Sequence, residues 1–166
     1  MTGRFVPDNA APAPSLAAAQ LVVGMLDIDR VPWWAAQWLS EGFDGPMLRE
    51  LAGLGTRDQA VYDLLPAALA DMAIDLPSGE VAAAVVIFND LATMCLAGRA
   101  DEQWVVAKVE EVVVNSNYAP EVVALPLGKI WNAPDYWGGK WLPELRELIR
   151  QSCQDQLRLD DSTRSS

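Results

Sequence analysis

Five prolines set most of the limits on how this chain can fold. Pro32, Pro46, Pro77, Pro120 and Pro143 each stand at the head of an apolar run with helical spacing. In the first turn of a helix a proline costs no hydrogen bond, because its missing N–H has no partner there. Deeper in a helix it removes a bond and clashes with the preceding turn. Gly42 and Gly98 follow two of these runs, where a residue that accepts the left-handed conformation ends a helix. Punctuated in this way, the chain reads as a series of short helices.

Ser15 is positioned to cap a first helix over 16–26, with Leu21, Val22, Met25 and Leu26 near one stripe. The second helix carries Trp33, Trp34 and Trp38, and a third follows from Pro46 with Met47, Leu48, Leu51 and Leu54. Thr56 is placed to cap a fourth, in which Pro66 predicts a kink or a break into two pieces. The fifth, about 79–97, is apolar around most of its circumference and so belongs at a centre of packing. Asp101 is a cap for a sixth. The run Val112–Val114 suits either a strand or a helix, with the charges at Lys108, Glu110 and Glu111 favouring a helix. A short helix from Pro120 should break near Pro126. Residues 130–141 read as an aromatic loop, and a last amphipathic helix from about Leu142 places Leu145, Leu148, Ile149, Cys153 and Leu157 on one side. No alternating strands joined by tight Gly turns are present. The expected fold is all-α, an irregular bundle of about six to eight short helices, with a helical-repeat arrangement left open. Residues 1–14 read as a flexible arm, 15–158 as a single helical domain and 159–166 as a polar tail.

Composition bounds the chemistry. The 166 residues contain 12 basic and 23 acidic side chains, a net charge of −11, and 51% are hydrophobic. A core large enough for stability is therefore available without metals or disulfides. An acidic surface repels phosphate, which argues against nucleic-acid and anionic-membrane partners and for a basic protein partner or a cation. Histidine is absent from the chain, which excludes Ser-His-Asp and Cys-His nucleophilic sites and the commonest neutral metal ligand. Gly53-Leu54-Gly55-Thr56 lacks the third glycine and the lysine of a phosphate-binding loop, and reads as a helix stop and restart. Asp71 and Asp75 have the spacing of one helix face, a geometry for a divalent ion, but Pro77 follows closely and places Asp75 past a helix end, and solvated helix ends explain the pair. Cys95 and Cys153 sit in apolar helical stretches, as core thiols do; a disulfide between them has no local support. Arg4 is followed by Pro and Ala with no long apolar run, and the stretch Val81–Phe88 is too short to cross a bilayer, so the expected location is the cytoplasm. No catalytic residue, metal ligand or cofactor is expected.

The segment from Pro32 to Leu54, PWWAAQWLSEGFDGPMLRELAGL, resembles one found in small helical bacterial proteins of uncharacterised function. It covers roughly an eighth to a seventh of the chain. The resemblance implies a helical fold and carries over no functional residue. In size, acidity and helicity the chain is also similar to bacterial immunity proteins, which neutralise toxins.

Three functional readings follow. The first is a non-catalytic, immunity- or inhibitor-like module that occludes a basic partner. Its contact residues would be Trp131, Asp135, Tyr136 and Trp137 of the aromatic loop, together with Glu121. The aromatic loop has a plainer explanation as well, since its rings would pin it to the domain. The second reading is a self-associating assembly protein. The third is a small-molecule binder or carboxylate enzyme using Asp63, Asp71 or Asp90 in a pocket.

Overall fold

The computed structural model describes residues 11–55 and 58–164, with side chains described to residue 159. The described residues are helical and contain no strand, so the fold is all-α, a multi-helix bundle. The helices are α1 (Pro14–Val23), α2 (Val31–Ser40), α3 (Pro46–Ala52), α4 (Val61–Asp71), α5 (Glu80–Leu96), α6 (Glu102–Asn115), α7 (Pro120–Val123), α8 (Ala133–Tyr136) and α9 (Pro143–Arg164), with a 3-10 turn at Gly128–Ile130. Where one helical domain was expected, the described residues divide into two compact units, one up to residue 79 and one from residue 80 onward.

In the first unit, α1 to α4 close around one apolar cluster. Its largest members are Trp34, Trp38, Leu48, Leu51, Leu65 and Leu69. Trp34 and Trp38, one turn apart, stack tilted with ring centroids 6.5 Å apart, while Trp33 points outward and is exposed. The helix α1 opens at Pro14 and not at Ser15, because the buried proline takes the first helical position itself and no side chain caps this end. It also stops three residues short of the expected end. Gly24 turns left-handed (φ 75°), and the Met25 N–H closes back on the Gln20 carbonyl at 2.9 Å. Residues just ahead of α1 are tied down: the Trp38 indole donates to the Pro12 carbonyl at 2.8 Å, and the Ala11 N–H donates to Gln37 Oε1 at 3.3 Å. The expected cap Thr56 lies outside the described residues. Pro66 does not divide α4, which runs through it as one helix. The carbonyl that loses its partner belongs to Tyr62, an exposed residue whose backbone water can satisfy.

The second unit is organised by α5, whose most extensive partner is α9, with α6 and α7 also packed on it. Ala83, Ala84, Ile87, Phe88, Leu91, Ala92 and Cys95 are its buried face, as its wide apolar surface predicts. Val112–Val114 is helical and completes α6. The helix α9 is long, 22 residues, and extends through Arg164, beyond the position where a tail was expected. Its buried stripe is Leu145, Ile149, Ser152, Cys153 and Gln156, whereas Leu148 faces solvent. Gln156, fully buried within the stripe, is a connector. Its Oε1 accepts from the Leu127 N–H at 3.2 Å and its Nε2 donates to Asn89 Oδ1 at 3.1 Å. An unpaired amide at that depth would cost more than the burial of a leucine returns.

Candidate functional site

The aromatic segment is not a plain loop. It contains the 3-10 turn and α8, which ends in a double left-handed turn at Gly138 and Gly139. Its rings fall into two classes. Trp131, Trp137 and Trp141 are half-buried and hold the segment down, and Trp141 lies under the Arg146 guanidinium at 5.6 Å. Tyr136 points the other way and is 82% exposed. Asp135 and Glu121 are exposed as well, the latter in the first turn of α7. The five residues expected at a partner surface thus divide into three that are exposed and two, Trp131 and Trp137, that are half-buried.

A residue passed over in the sequence joins this surface. Tyr118 packs edge-on against Trp131, with ring centroids 5.5 Å apart, and is itself 50% exposed. It reaches that position through the end of α6. The Asn117 N–H donates to the Val114 carbonyl and the Tyr118 N–H to the Val113 carbonyl, both at 2.9 Å, closing the helix. Asn117 (φ 56°) and Tyr118 (φ 59°) are both left-handed. Asparagine tolerates that region, but a tyrosine there is strained. Ser116 steadies the turn by donating to the Val113 carbonyl at 2.8 Å. The only hint in the sequence is Ser-Asn-Tyr directly after an apolar helix, which marks a turn and not an aromatic contact.

A second cluster joins α6 to α9. Arg146 Nη1 lies 2.8 Å from Asp101 Oδ1 and 2.9 Å from Glu102 Oε2, and Arg150 Nη1 lies 3.9 Å from Glu102 Oε1. The two carboxylates raise the Arg146 pKa above its usual value, Asp101 most strongly. Asp101 also caps α6, as its position predicts, by accepting from the Gln103 N–H at 3.1 Å. Cys95 and Cys153 are buried free thiols.

The carboxylates weighed for catalysis or metal binding do not converge. Asp71 is a helix cap: its Oδ2 accepts from the N–H groups of Met47 (2.8 Å) and Leu48 (3.3 Å) at the start of α3. It ends α4, so Asp75 lies beyond the helix and the two do not share a helix face. Asp63 is exposed on α4. Asp90, on α5, has its pKa raised by burial, against a smaller opposing pull from Arg99. Among the described residues no group of three or more Asp, Glu or Cys side chains is placed to hold a metal ion, and no helix is long and apolar enough to cross a membrane. No protein-family model matches the chain, and neither a curated protein nor a solved structure matches it.

Proposed function

We propose that this chain is a non-catalytic protein-binding module, inhibitor- or immunity-like, that acts in the cytoplasm by covering a basic surface on its partner. The observation that carries this reading is the pair of presented tyrosines. Tyr136 stands almost free of the fold, and Tyr118 is held out on Trp131 by two consecutive left-handed residues. Tyrosine is enriched where binding energy concentrates. Backbone strain at such a position is consistent with a function for the ring.

Charge contributes at longer range. The binding segment itself is mixed, with Glu121 and Asp135 balanced by Lys129 and Lys140. The net charge of −11 belongs to the whole chain, so it acts by steering a cationic partner toward the surface, with the aromatic contacts supplying the residence time. The absence of histidine from the sequence removes the usual general base and agrees with a role by occlusion.

The test is capture of binding proteins from the source lysate by wild type, by Tyr136→Ala and by Tyr118→Ser, each checked for unchanged helicity. The expected result is a basic protein retained by wild type, with affinity about tenfold weaker for either variant and association slowed by salt. Equal retention by all three proteins would remove the tyrosines from the interface and end this reading.

A further inference from the structure

The sequence contains one Asp–Gly step, Asp44–Gly45, and no Asn–Gly step. The step lies between α2 and α3, outside either helix. The Gly45 N–H donates to Asp44 Oδ1 at 2.9 Å, so the backbone nitrogen rests beside the carboxyl group of the residue before it. Asp44 is exposed, and glycine puts no side chain in the way of that nitrogen. We propose that Asp44–Gly45 is a self-modification site, at which the native chain isomerises to isoaspartate through a cyclic imide and becomes a substrate for a carboxyl methyltransferase.

The chemistry runs in two steps. The Gly45 nitrogen attacks the Asp44 side-chain carboxyl carbon; a C–N bond forms, a C–O bond breaks, and the hydroxyl leaves with the amide proton as water. The product is a five-membered imide. Water then adds to one of its two carbonyls, breaking the C–N bond there and returning a proton to nitrogen. Addition at the side-chain carbonyl restores aspartate. Addition at the backbone carbonyl leaves isoaspartate, with the main chain running through the former side chain. One water is lost and one regained, and no oxidant or cofactor takes part. The reaction is intramolecular, and the hydrogen bond already holds the two groups together. Arg49 opposes it. Its Nε pairs with the same Oδ1 at 3.0 Å, which restrains the carboxyl rotation that ring closure needs. Both side chains are mostly exposed, so the restraint is weak.

The position makes the change consequential. The Gly45 carbonyl accepts from the Arg49 N–H at 3.0 Å, the first hydrogen bond of α3. The Gly45 α-carbon sits against Asp71, whose carboxylate caps Met47 and Leu48. An extra main-chain carbon just before Gly45 therefore moves the head of α3 off its cap. The isomerised chain is the less stable one. Its new free α-carboxylate lies at an exposed position, where an isoaspartyl methyltransferase can reach it: the carboxylate oxygen takes the methyl group of a sulfonium donor, which leaves as a neutral thioether. This inference does not depend on the partner-binding reading.

The experiment ages the native protein in heavy-oxygen water at neutral pH and physiological temperature, with Asp44→Glu, Arg49→Gln and a free peptide of residues 41–50 beside it. Peptide mapping follows heavy oxygen and isoaspartate at each aspartate. The expected result is that Asp44 leads every other aspartate in the chain, at a rate within about threefold of the free peptide's. Arg49→Gln should react about twofold faster. Asp44→Glu, which would need a six-membered ring, should stay unmodified at that position. The aged protein should accept labelled methyl groups at residue 44 from purified isoaspartyl methyltransferase and unfold at lower urea than fresh protein. The proposal fails if the peptide isomerises while the native protein does not, if another aspartate leads, or if aged protein is not methylated at residue 44. An unchanged urea midpoint would also overturn it, since the head of α3 would then tolerate the longer chain.

Discussion

The two units use polar groups for different ends. In residues 9–79, three arginines face nine acidic residues and there is no lysine. The polar contacts there serve backbone closure. Asp71 caps α3 from the far end of α4, the Trp38 indole holds the Pro12 carbonyl, and Gln37 holds the Ala11 N–H. In residues 80–164, polar groups reach into the packing between helices. Gln156 links α5, α9 and the chain at Leu127, and Arg146 ties α6 to α9. The groups capable of recognition concentrate in the second unit, where side chains from distant positions converge. The first unit is closer to a minimal helical core, with its polar groups used locally.

The sharpest way to break this contrast is at Gly128. A Cβ there would run into the Val122 carbonyl oxygen, a backbone atom that cannot move without shifting α7. Gly128→Ala should therefore destabilise the second unit by about 3 kcal/mol in urea unfolding. A loss below about 1 kcal/mol would show that the packing between α7 and the 3-10 turn is loose, and the second unit would lose its claim to interlocked construction.

Asp71 tests the first unit with a smaller effect. Asp71→Ala should cost about 1 kcal/mol, the usual value of an N-terminal cap. Gly45 supplies a check. Its backbone is extended (φ 160°), so it is needed for space alone: a Cβ would lie 2.5 Å from the Asp71 side chain. Gly45→Ala should be destabilising in wild type and clearly milder only in an Asp71→Gly background, because Asp71→Ala keeps the Cβ that also lies 2.5 Å away; a double-mutant cycle measures that coupling. Additive costs with Asp71→Gly would mean that the Asp71 side chain does not occupy that space, and the cap would have to be reassigned.

Much of the fold is legible in the sequence because its signals are local. Pro32, Pro46, Pro120 and Pro143 all stand in the first turn of a helix, Gly42 and Gly98 follow the ends of α2 and α5, and Asp101 caps α6. Each acts on backbone within a few residues of itself. What escaped the sequence is long-range. The Asp71 cap spans 24 positions and the Gln156–Asn89 bond spans 67. Leu148 lies at the edge of the buried stripe of α9 and is exposed. At the candidate surface, aromatic content located the segment, whereas the division into anchors and presented rings required the left-handed turn at Asn117–Tyr118.

That turn has a counterpart in the first unit, and the pair supplies the finest comparison. At the end of α4, Ala73 (φ 59°) takes the left-handed position, with the Ile74 N–H donating to the Leu69 carbonyl at 2.9 Å. Asn117 takes the same position at the end of α6. Alanine pays the full steric cost of its Cβ against the carbonyl, whereas asparagine visits this region more readily. Ala73→Gly should therefore stabilise the protein by about 1 kcal/mol, after allowing for the greater freedom of glycine in the unfolded chain, and Asn117→Gly by only a few tenths. Both are read as shifts of the denaturation midpoint at constant slope. Tyr118→Gly is unsuitable for this purpose, because it also removes the ring from Trp131. A larger gain at Asn117 than at Ala73 would reverse the comparison. The strain would then lie chiefly at the turn that presents Tyr118, and the second unit would be spending stability where the candidate surface begins.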